Sequence, residues 1–237
     1  MTRTLRISLV AAALLTGAAA APCHAGERVD LLLALAADVS SSMDDQEFQL
    51  QRSGYAEALT DPRVIEAIQS GANGRVAVAF IEWAGHVAQK VVIDWTIISD
   101  DKTARDFGDI LVEAPRSHAG RTSISGGIDF AMRQFERAPY EGHRTIDVSG
   151  DGINNAGRDV RLARDDAVAT GVTINGLVIL GQPTTSDLEG YYRDNVIGGP
   201  GAFVMVAENY ESFGDALVKK LVAEIAQAQQ LRHANLR

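Results

Sequence analysis

Val29-Asp30-Leu31-Leu32-Leu33-Ala34-Leu35-Ala36-Ala37 (29–37) runs straight into Asp38-Val39-Ser40-Ser41-Ser42. The first nine residues are apolar apart from Asp30 and show no polar–apolar alternation. That is the pattern of a strand buried on both faces, as in a parallel sheet covered by helices. The next five offer one carboxylate and three hydroxyls at the strand's carboxyl end. In open α/β sheets this is the edge where ligands bind.

The rest of the chain repeats the alternation. Helical patterns are expected over Asp45–Leu59, Val64–Gln69, Ala104–Glu113, Ser123–Arg137, Val160–Thr170 and an amphipathic Phe213–Gln230. Apolar runs at Arg75–Trp83, Val87–Trp95, Thr145–Ser149, Val172–Leu180 and Ala202–Ala207 read as strands. The first two of these are joined by a tight turn at Ala84-Gly85, so one strand is antiparallel. Strands alternating with helices imply an α/β fold with a doubly wound, mostly parallel six-stranded sheet. One edge strand is antiparallel and helices cover both faces. No repeat, low-complexity tract or linker divides residues 26–237, which read as one domain.

The start of the chain has a different character. Arg3 and Arg6 precede an apolar run from Ile7 to Ala21, and Cys23-His24-Ala25 follows. A basic start, a short apolar centre and a small residue at the cut make a secretory signal peptide, with cleavage expected after Ala25. The run of about 15 residues falls short of the roughly 20 that a membrane span needs. Lipoproteins are cut just before a cysteine, but Pro22 stands where such a site wants a small flexible residue. Export to the periplasm or the medium is therefore expected, and no second apolar stretch would insert the mature chain in a bilayer. Loss of Arg3 and Arg6 turns 22 basic residues into 20 against 31 acidic ones, a net charge of −11. That balance disfavours nucleic acid and anionic membranes as partners and suits a chain that gathers cations. Without Cys23 the mature chain has no cysteine, so packing, and metal if bound, must stabilise it. A monomer is expected.

Two further segments end on the edge occupied by Asp38. Ser149-Gly150-Asp151-Gly152 follows the strand Thr145–Ser149, and its glycines suit a tight turn that projects the Asp151 carboxylate. Gly120-Arg121-Thr122-Ser123 precedes the helix before that strand. A helix of about 14 residues descends roughly 21 Å. About 7 residues of turn and strand climb back some 23 Å. Thr122 and Asp151 therefore arrive on one edge, where alternate residues Asp38, Ser40 and Ser42 converge if their loop curls. Two carboxylates and three hydroxyls, with no thiol or histidine, favour hard cations: Mg²⁺, or Mn²⁺ or Ca²⁺, over zinc. So few charged ligands leave such an ion short of an anion, and a partner's carboxylate would complete its shell.

DVSSSM (38–43), GRTS (120–123) and SGDG (149–152) resemble the metal-ion-dependent adhesion site (MIDAS) of von Willebrand A domains. All five positions of that pattern match, and the resemblance spans about 29 to 230. It implies a von Willebrand A, Rossmann-like sheet with Ser40 and Ser42 ligating through their hydroxyls. Thr122 would bind directly or through water, and Asp38 and Asp151 mostly through bound waters. GRTSISGGIDFA, DVSGDGINN and VTINGLVIL are also similar to a bacterial subfamily catalogued as a domain of unknown function.

Each motif has a plainer reading. Asp-x-Ser-x-Ser alone is common at helix caps, and Ser42 or Asp44 is a candidate cap for the following helix, with Asp44 and Glu47 giving it an acidic start. Asp151-Gly152 alone would be a turn. Glu82-Trp83 reads as a salt bridge plus core packing, and His118 as a solvated loop residue. Asn154 and Asn155 read as helix capping in preference to ligand contact. Arg158–Arg164, with Asp165 and Asp166, reads as a solvated helix face. Functionally, the residues favour a metal-dependent module that binds a partner protein through its Asp or Glu. The alternative is a metal-assisted hydrolase of the cell envelope. Ser125 lacks the Gly-x-Ser-x-Gly elbow, and neither a P-loop nor Gly-x-Gly-x-x-Gly follows the first strand.

Overall fold

The computed structural model describes residues 26–180 and 187–235, with side chains through Arg232. The signal-peptide segment 1–25 lies outside the described residues. In chain order the elements are β1 (Glu27–Asp38), α1 (Asp45–Thr60), α2 (Pro62–Gln69), β2 (Val76–Trp83), β3 (Gln89–Ile98), α3 (Asp101–Glu113) and α4 (Ile124–Phe135). They continue as β4 (Tyr140–Gly150), α5 (Val160–Ala169), β5 (Thr173–Ile179), α6 (Leu188–Tyr191), a wide π-helical turn (Tyr192–Val196), β6 (Val204–Ala207) and α7 (Phe213–Asn235).

Six strands form one sheet in the order β3-β2-β1-β4-β5-β6. Only β3 is antiparallel, and it lies at an edge. The expected sheet is correct. Its first strand supplies both cores through the two-residue period of a strand. Leu31, Leu33 and Leu35 pack with α1, α2, α3 and α7, while Leu32, Ala34 and Ala36 pack with α4 and α5. Burying a leucine side chain contributes about 2 kcal/mol, which is why an uninterrupted apolar run settles at the centre of the sheet.

Several boundaries differ from the sequence reading, each for a physical reason. β4 begins at Tyr140, since the polar residues Glu141, His143 and Arg144 pair with the start of β1 although they are not apolar. Val87 is 81% exposed and belongs to the β2–β3 turn, which Ala84 N closes on Ala88 O at 2.9 Å. β3 therefore starts at Gln89. Asp44, not Ser42, caps α1: it accepts from Glu47 N, and the Glu47 carboxylate accepts from Asp44 N, both within 3 Å. α7 extends to Asn235 and is less simply amphipathic than its sequence suggests, because Lys220 and Glu224 on it are fully buried.

The parallel register fixes the functional edge. Asp38 aligns with Trp83, and Ala37 with Ser149, so β1, β2 and β4 end level with one another. The residues that follow these three strands share one surface.

Candidate metal centre

Asp38 closes β1 and is 1% exposed. Its Oδ1 accepts from Ser40 N at 2.7 Å, which curls the chain back over the strand end. That curl places Ser40 Oγ 3.2 Å from Ser42 Oγ. Ser42 Oγ donates to Asp151 Oδ1 at 2.8 Å, and Thr122 Oγ1 donates to Ser40 Oγ at 3.3 Å. The structure thus joins all five predicted residues, from three distant segments, in one chain of polar contacts. Asp38, Ser40 and Thr122 form its buried floor; Ser42 is exposed and Asp151 half-buried. The cluster opens to solvent on the Ser42–Asp151 side.

Neighbouring segments hold the loop in place. Arg116 donates to Val39 O (2.8 Å), Ser40 O (2.6 Å) and Met43 O (3.0 Å). Ser41 N donates to Gly120 O, and Gly120 N donates to Ser41 Oγ, each at 2.8 Å. Gly120 has φ 133°, a conformation that L side chains rarely adopt. Thr122 is gripped by the loop after β4. Its N donates to Asn155 Oδ1 at 3.0 Å, and its carbonyl accepts from Asn155 N at 2.9 Å. Tyr210, before α7, donates to Asp151 Oδ2 at 3.3 Å.

Neither Gly150 nor Gly152 has a positive φ, and a Cβ at Gly152 would make only ordinary contacts, 3.7 Å from Thr122, so Gly150 alone is required, and not for turn geometry. A Cβ at Gly150 would fall 2.7 Å from Tyr192 Oη and 3.1 Å from Asp38 Oδ2. The requirement is space.

Electrostatically the site is strained by its own anions. Burial, and then the Asp151 carboxylate, push the Asp38 carboxyl up to about 7. Asp38 Oδ2 is buried with no hydrogen-bond partner among the described residues. The nearest cation, Arg116, is committed to backbone carbonyls. Burial, with Asp38 and Asp151 nearby, raises the Tyr192 and Tyr210 hydroxyls well above the ordinary tyrosine range, so both keep their protons. A buried, orphaned carboxylate oxygen beside a second carboxylate and three hydroxyls fits a hard divalent cation. Among the described residues no three His, Cys, Asp or Glu side chains gather in metal-binding range. The donor set therefore depends on its hydroxyls, unlike a zinc site of the usual nitrogen and sulfur type.

The plainer readings resolve case by case. Glu82 is fully buried, paired with Arg52, and accepts from Ser117 N at 2.8 Å, so it is a structural ion pair. Asn154 Oδ1 accepts from Ser125 N in the first turn of α4, a capping contact made across loops. Asn155 instead positions Thr122. Arg158 pairs with Asp129 and Asp166 on a solvated face. His118 is half-buried in the loop before Gly120. Ser125 is fully buried, 3.4 Å from Ser123 Oγ. Arg116, Tyr192 and Tyr210 were missed by the sequence reading, since none sits in a motif. Only the position of Arg116, four residues before Gly120 in a loop leading to the site, offered a hint.

Known structures share this architecture. Proximal thread matrix protein 1 from the mussel byssus, described with its MIDAS motif occupied by zinc, is 16% identical with a TM-score of 0.58. The match covers 85% of this chain and 46% of that one. The von Willebrand factor type A protein from Catenulispora acidiphila is 15% identical, TM-score 0.57, covering 86% of this chain and 43% of that one. The pilus adhesin SpaC from Lactobacillus rhamnosus GG is 12% identical, TM-score 0.60, covering 85% and 32%. The chain spans less than half the length of each. At such identities the likeness is one of fold, and that fold is the von Willebrand A type. Within it, the chain belongs to the family described as "Protein of unknown function (DUF1194)", matched over residues 28–229. No curated protein matches the sequence.

Proposed function

We propose that this chain is an exported, metal-dependent binding module that captures an acidic side chain of a partner protein. Asp38, Ser40, Ser42, Thr122 and Asp151 would hold a divalent cation, with Mg²⁺, Mn²⁺ or Ca²⁺ favoured by the all-oxygen donor set. A cation there supplies a directional positive charge for a carboxylate from outside. The observation that carries this reading is the joined polar cluster, sealed beneath at Asp38 and open at Ser42 and Asp151. The adhesive and matrix character of the similar proteins is in keeping with it. No internal histidine or general base is needed for capture. Among the described residues no helix is long and apolar enough to cross a membrane. An N-terminus at Gly26 in envelope or medium fractions would support export.

The test is thermal unfolding of the chain from Gly26 onward. Mg²⁺ or Mn²⁺ should raise the melting temperature and chelator should reverse the rise. Asp38→Ala should lose the response. A melting temperature indifferent to Mg²⁺, Mn²⁺, Ca²⁺ and Zn²⁺ would sink the proposal. Metal-dependent retention of an envelope protein on immobilised chain, lost in Asp151→Ala, would extend it to partner capture.

A further inference from the structure

Among the described residues, the π-helical turn after α6 is an irregular helical segment that reaches the candidate site. Ile197 N donates to Tyr192 O at 3.0 Å, the five-residue spacing that defines such a turn. The extra residue lets two adjacent tyrosines serve the same loop. The Tyr191 hydroxyl accepts from Asn154 N at 3.2 Å on the outer side of the Gly150–Asn155 segment. Tyr192 passes beneath it, fully buried, and its hydroxyl comes to rest against Gly150.

That hydroxyl has no hydrogen-bond partner among the described residues, and neither does Asp38 Oδ2. Both oxygens flank one point: a Cβ at Gly150 would touch Tyr192 Oη at 2.7 Å and Asp38 Oδ2 at 3.1 Å. A buried donor left unpaired costs the protein free energy, as does a buried acceptor. Two such atoms facing one another across a glycine are hard to explain as packing alone, because phenylalanine would fill the same space without the cost. The remaining faces of Asp38 are accounted for by Ser40 N on Oδ1.

We infer that Tyr192 is a positioning residue of the metal site, its hydroxyl serving as hydrogen-bond donor to the outer oxygen of Asp38 in the metal-bound state, directly or through one water. This rests on the metal-binding reading above. Carboxylates that face a metal are commonly oriented by such outer partners, whose loss typically weakens metal binding about 10–100-fold. Gly150 is then required because any side chain would stand between donor and acceptor.

Isothermal calorimetry with Mg²⁺ and chelator-treated protein, alongside melting of the metal-free form, tests this. Tyr192→Phe should weaken Mg²⁺ binding by about 10-fold or more while the metal-free melting temperature stays level or rises. Gly150→Ala should also weaken Mg²⁺ binding, with little further loss when combined with Tyr192→Phe. If wild type binds Mg²⁺ and Tyr192→Phe binds within about 2-fold of it, the inference is overturned and the metal site stands. A fall in metal-free stability matching the loss of affinity would equally overturn it, since Tyr192 would then be structural. No Mg²⁺ binding by wild type would remove the metal-binding reading itself.

Discussion

Two pairs of carboxylates, one built on Asp147 in β4 and one on Asp151 just past its end, finish in opposite situations. At the upper edge, Asp151 and Asp38 meet, and among the described residues the cation acting on Asp38 is Arg116, which is held on backbone carbonyls. Deeper in, Asp147 points towards α7 with Glu224, and Lys220 Nζ lies 2.7 Å from Asp147 Oδ1 and 2.6 Å from Glu224 Oε1. All three of these inner groups are fully buried. Asn175 Nδ2 donates to Glu224 Oε1 at 2.9 Å, and Tyr55 shares a 2.8 Å hydrogen bond with Ser149 Oγ between the two levels. The inner pair carries its own cation; the outer pair, open to solvent, has hydroxyls instead. Removing charge from water is costly unless it is compensated. A fold that supplies a lysine to one carboxylate pair and withholds it from the other leaves the second without a matching internal cation, the charge that the proposed metal would supply.

That contrast can be broken from either side. The largest effect is expected at Lys220→Met, which strips the inner carboxylates of the cation paired with both of them. It should cost about 3–5 kcal/mol by denaturant unfolding. A cost under about 1 kcal/mol would mean that the inner carboxylates are neutral and the two pairs differ less than they look. Next, Ser42→Lys would give the outer pair an internal ammonium group. It should raise the metal-free melting temperature and abolish the Mg²⁺ response, which at 100-fold excess over Kd is worth about 2.7 kcal/mol. Retention of the Mg²⁺ response would show that charge compensation is not what the site lacks.

The smallest effect, read per pH unit, concerns Glu224. Burial first, and then the Asp147 carboxylate, push the Glu224 carboxyl from 4.5 up to about 7. The folded chain thus favours the neutral acid. The stability from this group is complete below pH 4.5 and is lost as pH rises towards 7. Glu224→Gln cannot titrate, so its stability should fall less than wild type's across this window. The difference in slope should not exceed about 1.4 kcal/mol per pH unit, the limit for one proton. Parallel pH profiles would place the inner proton elsewhere, on Asp147, whose carboxyl burial also raises.

Much of the fold was legible because its signals are local. The mostly apolar run 29–37, and its counterparts at 76–83 and 173–179, show no polar–apolar alternation and so mark covered strands whatever surrounds them. Where burial did not follow hydropathy the reading failed. β4 starts five residues before its apolar part, paired through Glu141, His143 and Arg144 with β1. The short helix and π turn at 188–196 follow from no periodicity in the sequence, and they bring Tyr191 and Tyr192 to a loop some 40 residues earlier.

The site divides in the same way. The five polar residues follow from local motifs, and the spacing of strands and helices gives the edge they reach. Side chains at strand ends go where the sheet register takes them, and register follows from hydrophobic pattern. Which other groups close around them depends on the packing of segments far apart in the chain. Arg116 comes to the carbonyls of Val39, Ser40 and Met43 from more than 70 residues away, and Tyr192 meets Asp38 across Gly150. Lys220 is sent to the inner carboxylates and not to the outer ones. Such choices depend on distances between segments remote in sequence. A charge shows its sign in the sequence, but its partner only in the packed fold.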